Sequence, residues 1–167
     1  MAFLNDEQQA LASEIAKLLT DRGETVAVAE STTGGLVSAA LLWTPGASRY
    51  YSGGGVLYTL NSRVVLAGAP SEMFENYRGT TQEMLAAVGD LFRRKLDATW
   101  CIAESGLAGP TSGRSGLPPG RTTIAVSGPV TRSAVFETGI GEREANMIAF
   151  TTITLRYLRD AIVEAKG

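Results

Sequence analysis

The chain has 167 residues, of which 44% are hydrophobic and 19% charged, with a formal net charge of -2. That balance excludes a disordered chain, and it offers no electrostatic handle for nucleic acid or an anionic membrane, so neither is expected as a partner. One cysteine and no histidine exclude an internal disulfide, Ser-His-Asp or Cys-His catalysis, and imidazole-based zinc sites within one chain.

Several expectations follow from the same facts. The length fits one domain, residues 1–167, large enough to bury about 70% of its unfolded surface. A lone cysteine, the lack of a leader-like start and the lack of a run of about 18 apolar residues point to the cytoplasm. No metal and no cofactor are expected. A small-molecule substrate or nucleotide ligand is, and the composition leaves room for a homo-oligomer. Any acid or base must be Asp, Glu, Lys, Tyr or Cys.

In chain order, apolar residues at helical spacing over 5–22 predict a helix with Asn5 as its cap and Gly23 as its stop. Residues 25–29 read as a buried strand, and Leu36 to Trp43 as a helix ended by Thr44-Pro45-Gly46. Gly53 to Tyr58 reads as a second strand, followed by a short helix over 60–67 and a helical turn over 71–76. A long helix to Leu96 is expected from Thr80 or Thr81, with Thr80 and Glu83 at capping-box spacing. Thr99 to Ala103 is a third strand, in which Cys101 and Trp100 read as core, as does Trp43. Residues 105–120 form a Gly- and Pro-rich loop. A hairpin over 122–127 and 133–138 and a last helix from Glu142 to Ala165 complete the chain. Strands alternating with helices, then a hairpin, predict a mainly parallel sheet that takes in one antiparallel strand and is covered on both faces.

Chemistry concentrates where the first strand meets the second helix, at Glu30-Ser31-Thr32-Thr33-Gly34-Gly35. A helix N-terminus presents unpaired N–H groups, glycines permit close approach, and hydroxyls add donors. The combination suits a phosphate, a carboxylate or a developing oxyanion. A hydroxyl that simply caps the helix gives the same pattern. The loop from Ser105 also follows a strand end, where open α/β sheets place ligands. Tyr58 and Arg63 follow the second strand, and Arg63 could hold an anion. Arg121 and Arg143 read as solvated surface groups on spacing alone.

Together these segments resemble the C-terminal domain of the competence/damage-inducible protein (CinA) family. The family's Glu-Ser-Cys-Thr-Gly-Gly is matched by residues 30–35, and its Pro-Gly-Ser-Ser by Pro45-Gly46-Ala47-Ser48. Its Gly-Phe-Val-Thr-Tyr-Ser-Asn falls on Gly54 to Leu60, with the tyrosine at Tyr58. Its Gly-Ile-Ala-Gly-Pro is matched by Gly106-Leu107-Ala108-Gly109-Pro110, and its Gly-Asp-Arg by Gly141-Glu142-Arg143.

The resemblance implies a three-layer α/β/α sandwich with a mixed, mainly parallel five-stranded sheet. It also implies an amidohydrolase reaction, in which the carboxamide of nicotinamide mononucleotide is hydrolysed to ammonia and the nicotinate nucleotide. Ser31 would be the nucleophile and Tyr58 a positioning or proton-transfer group. Glu30, Thr32, Thr33, Gly34, Gly35, Gly106, Ala108, Gly109 and Arg143 would surround the substrate. The family's Asn-Glu-Ala-Lys appears here as Leu60-Asn61-Ser62-Arg63, so its base lysine falls on Arg63. A guanidinium does not release its proton in a protein and cannot act as that base. A second family arginine, one turn into the last helix, appears as Met147. Two readings therefore stand side by side: a serine amidohydrolase, and a non-catalytic homologue that binds a nucleotide or anion.

Overall fold

The computed structural model describes residues 1–166. Ten principal elements follow in order: α1 (Asp6–Arg22), β1 (Val26–Glu30), α2 (Leu36–Trp43), β2 (Tyr51–Val56), α3 (Leu60–Ala67), α4 (Gln82–Lys95), β3 (Trp100–Leu107), β4 (Arg121–Ser127), β5 (Arg132–Glu137) and α5 (Arg143–Ala165). Single 3-10 turns lie at Ala47–Arg49 and Ser71–Phe74. The sheet order is β2-β1-β3-β4-β5. β1 is parallel to both β2 and β3, whereas β4 is antiparallel to β3 and β5. The mixed, mainly parallel five-stranded sheet is thus observed, with β4 as its one reversed strand.

Alternation along the strands builds two unequal cores. Val26, Val28, Trp100, Ile102, Ile124 and Val126 face one side, where they pack with Leu11, Ile15, Leu41 and Leu158 from α1, α2 and α5. Ala27, Ala29, Cys101, Ala103 and Ala125 face the other side, under Leu85, Val88 and Phe92 of α4. The second face carries small residues, so α4 can lie close to it. A Cβ built on Gly89 of α4 would stand 3.3 Å from that of Ala103. Cys101 is fully buried in this face, and burial pushes its thiol up to about 12. Each large side chain so buried contributes roughly 1.5–3 kcal/mol relative to exposure.

The predicted ends hold for α1, where Asn5 Oδ1 accepts from the Gln8 amide and Gln8 Oε1 accepts from the Asn5 amide. Two strand boundaries differ. β2 spans residues 51–56, two earlier than expected, because Ala27 pairs with Gly53 and Glu30 with Val56; Tyr58 therefore lies beyond the strand. β3 runs on to Leu107, since Gly106 and Leu107 pair with Thr122 and Arg121 of β4. Of the two caps expected for α4, the structure uses Thr81, whose hydroxyl accepts from the Met84 amide; the Thr80–Glu83 box does not form. Among the described residues no helix is long and apolar enough to cross a membrane.

Gly54 is the tightest point on β2. A Cβ there would come 2.6 Å from the Tyr51 hydroxyl, 2.8 Å from Ser38 Oγ and 3.0 Å from the Val28 carbonyl oxygen. Gly54→Ala should cost about 1–3 kcal/mol through forced displacement of β2 against β1 and α2. A thermal melt checks this, and an unchanged midpoint would show that β2 moves freely.

Candidate functional site

β1 lies between β2 and β3, so the chain's progress across the sheet reverses there. Such a switch point opens a crevice at the carboxyl ends of the strands. The 30–35 segment sits at this place, but most of its donors are already occupied. Glu30, 1% exposed, accepts from the Gly35 amide at 2.8 Å, Val37 at 3.2 Å, Ser38 at 3.0 Å and the Thr33 hydroxyl at 2.6 Å. Gly35, the N-cap of α2 with φ of 102°, has no side chain to offer, and Glu30 reaches round to do that work.

Glu104 of β3, which sequence reasoning passed over, fills the other half of the turn. It is fully buried and accepts from the Thr33 amide at 2.9 Å, the Ser31 amide at 3.3 Å, the Thr122 hydroxyl at 3.1 Å and the Thr32 hydroxyl. Burial holds its carboxyl above the ordinary range, while the Thr32 and Thr33 donors pull the other way. The Gly34 and Leu36 amides bond the Ser31 and Thr33 carbonyls. The turn expected to receive an external anion thus receives two of the chain's own carboxyl groups. A glutamate directly after the apolar run 100–103 was the available signal, since a glutamate is rarely buried without partners.

Ser31, 5% exposed, donates its hydroxyl to the Leu57 carbonyl at 2.9 Å. Arg63 Nε donates to the same carbonyl at 3.3 Å. The Arg63 guanidinium is 3% exposed and continues to Thr80 Oγ1 at 2.9 Å and Ser105 Oγ at 3.0 Å. Among the described residues it has no carboxylate partner. It is a buried cation held by neutral oxygens only, an arrangement that an anion nearby would stabilise. The release of Thr80 from capping α4 is what makes it available to Arg63.

Tyr58 is 55% exposed, and its hydroxyl meets Arg143 Nη2 at 3.3 Å. Arg143 Nη1 in turn donates to the Gly109 carbonyl at 2.7 Å. The cation beside Tyr58 is therefore Arg143, while Arg63 turns to Ser105. Buried Asn146 of α5 holds Ala108 by donating to its carbonyl at 2.8 Å. Gly106 lies against Phe150 of α5, and Gly34 against Met147. The structure brings together Tyr58, Gly109 and Arg143 as one cluster, and Ser31 with Arg63 as another, joined through the consecutive residues Leu57 and Tyr58.

A cavity of about 620 Å³ adjoins the Arg63 cluster. Thr80 and Ser105 form its inner wall, and Arg78, Arg114 and Arg121 contribute to its lining. Neither Ser31 nor Tyr58 lines it, so it lies beside the reactive-looking residues and communicates with them through Arg63. The N-terminus of α4 ends in it, and the Arg114 guanidinium stands 5.8 Å from the Tyr77 ring centroid. Arg121 is paired with Glu137 at 2.7 Å. Among the described residues no group of three or more metal-ligating side chains forms a metal site.

A mixed α/β sandwich with its polar centre at the switch between β1 and β3 defines an open-sheet α/β domain of the three-layer class. The chain belongs to the CinA C-terminal domain family, whose family model it matches over residues 8–162. It is 40% identical over 123 residues to a CinA-like protein of Prochlorococcus marinus, covering 74% of this chain and 29% of that protein. It is 37% identical over 128 residues to a CinA-like protein of Desulfosudis oleivorans, covering 77% and 31% respectively. The chain thus spans less than a third of the length of these relatives. Its fold matches the crystal structure of a competence or damage-inducible protein from Enterobacter asburiae with a TM-score of 0.87 at 25% identity, over 95% of this chain and 99% of that one. A competence/damage-inducible protein from Agrobacterium tumefaciens matches over the full length of both chains with a TM-score of 0.86 at 24% identity, which speaks for the fold alone.

Proposed function

We propose that this chain binds a phosphorylated small amide of the nicotinamide-nucleotide type and is an amidohydrolase whose turnover is slow because Arg63 replaces a lysine base. The observation that carries the reading is the buried, carboxylate-free Arg63 between Ser31 and the arginine-lined cavity. The cavity would seat the phosphate against Arg78, Arg114 and the first turn of α4. The carboxamide would lie toward Thr80 and Ser105, with Arg63 between it and Ser31. A hydroxyl attacks an amide only if something takes its proton, and the Ser31 proton rests on a carbonyl oxygen, which is not a base.

That last contact favours a second reading, binding without turnover. Calorimetry with nicotinamide mononucleotide, run beside an ammonia-release assay, separates the two. Binding with slow ammonia release supports the first reading, and binding with none supports the second. The Arg78→Ala, Arg114→Ala double variant should weaken binding about 10- to 100-fold, since each charge-assisted hydrogen bond is worth roughly 1.5–3 kcal/mol when dry and less at this exposed rim. Wild-type affinity unchanged by the double variant would remove the phosphate from this cavity.

A further inference from the structure

Glu30 and Glu104 meet across a single hydroxyl. Thr33 Oγ1 lies 2.6 Å from Glu30 Oε1 and 3.0 Å from Glu104 Oε1. Thr32 Oγ1 and Thr122 Oγ1 both bond Glu104 Oε2. These are four oxygen–oxygen contacts served by three threonine hydroxyls. A hydroxyl supplies one proton. Three hydroxyls cannot fill four contacts between acceptors, so a carboxyl group must supply the fourth proton.

The surroundings decide which carboxyl it is. Glu30 faces the amides of Gly35, Val37 and Ser38 at the N-terminus of α2, where the partial positive charge favours an anion. Glu104 is fully buried, with no cation in its hydrogen-bond shell. The charged group that faces it from β1 is Glu30, a like charge that opposes a second ionisation. The 31–35 turn and β4 present only threonine hydroxyls and amides to it. β2 contributes Tyr51, whose phenol burial pushes upward and which therefore remains neutral near Glu30.

We infer that Glu104 carries a proton, donates it to Thr33 Oγ1, and in this form positions the Ser31 turn. The chain of donation then runs from Glu104 Oε1 to Thr33 Oγ1 and from the Thr33 hydroxyl to the Glu30 carboxylate. Thr32 and Thr122 donate to Glu104 Oε2, and the amides of Ser31 and Thr33 reach Oε1. All four contacts are filled, and the pair as a whole holds one negative charge. Loss of the shared proton would leave two carboxylates competing for Thr33, and the Ser31 amide is bonded to the group that changes. From the proposed function the inference takes only that Ser31 faces the ligand.

The sign of the effect on stability is fixed by the direction of the shift. Glu104 in the folded chain holds its proton above its unfolded value. Its contribution is full below the unfolded value and is lost as pH rises through the folded one. Glu104→Gln cannot ionise; its amide donates to Thr33 Oγ1 and its carbonyl accepts from Thr32 and Thr122, at the cost of the acceptor for the Ser31 and Thr33 amides, a loss that does not change with pH. The variant should therefore gain in melting temperature on wild type as pH rises.

The direct test is carbon NMR of the chain labelled at glutamate carboxyl carbons, titrated from acid through neutral to alkaline pH. One glutamate should remain at its protonated shift near neutral pH, and that signal should be missing from Glu104→Gln. A chain in which every glutamate shows the carboxylate shift near neutral pH would overturn the inference. So would a Glu104→Gln variant that melts lower than wild type by a constant amount across that range. As the positioning readout, binding of nicotinamide mononucleotide should show a pH transition that Glu104→Gln loses. A retained proton signal with no ammonia release would sink the hydrolase reading and leave this one standing.

Discussion

Arg63→Lys should raise ammonia release from nicotinamide mononucleotide by about 10²- to 10⁴-fold, the usual range for a positioned general base. The geometry explains why one side chain carries so much. Ser31 Oγ and Arg63 Nε converge on the Leu57 carbonyl, so the position is within one shared acceptor of the hydroxyl. A guanidinium there can hold a charge but cannot take a proton. A lysine amine in the same desolvated place would be pushed toward its neutral form and could accept the Ser31 proton. The variant loses the contacts to Thr80 and Ser105, so folding is checked alongside by a thermal melt. Ser31→Ala in the Arg63→Lys background should return the rate to background. A rate that stays flat or falls in a folded Arg63→Lys chain would show that Arg63 does not stand in for a base.

Glu30→Ala should destabilise the fold by about 3 kcal/mol, close to 6–12 °C in melting temperature for a chain of this size. The carboxyl group is buried and serves three amides and one hydroxyl. Deleting it leaves the first turn of α2 without its acceptor, in a place where water cannot easily substitute. Glu30→Gln retains one acceptor oxygen and should lose less. A melting temperature within about 1 °C of wild type would show that α2 is capped by other means.

Most elements were legible because their signals are local. The Asn5 cap, the Val26–Ala29 run and the Thr81 cap are read from a few neighbouring residues, and the hydrophobic period does the rest. The ends of β2 and β3 were not legible, because pairing decides them. Ser105-Gly106-Leu107 has loop-like composition, yet Arg121 and Thr122 draw it into the sheet from fifteen residues away or so. The candidate site shows the same division. The strand–turn–helix at Ser31 announced itself, whereas its partner Glu104 lies 73 residues from Ser31 and carries no motif. The family resemblance put Arg63 in a lysine's place; that its guanidinium turns to Thr80 and Ser105, leaving Tyr58 to Arg143, needed the fold.

The one thiol in the chain sits on the central strand β3, sealed beneath α4 and held up to about 12. Local fraying of a terminus or loop does not expose such a group; only opening of the α4 layer does. Alkylation of Cys101 in otherwise native buffer therefore counts the molecules that have opened, one label per chain. Measured against reagent concentration, the labelling rate gives the free energy of that opening without denaturant. Each variant discussed above can be ranked on the same scale without introducing a probe.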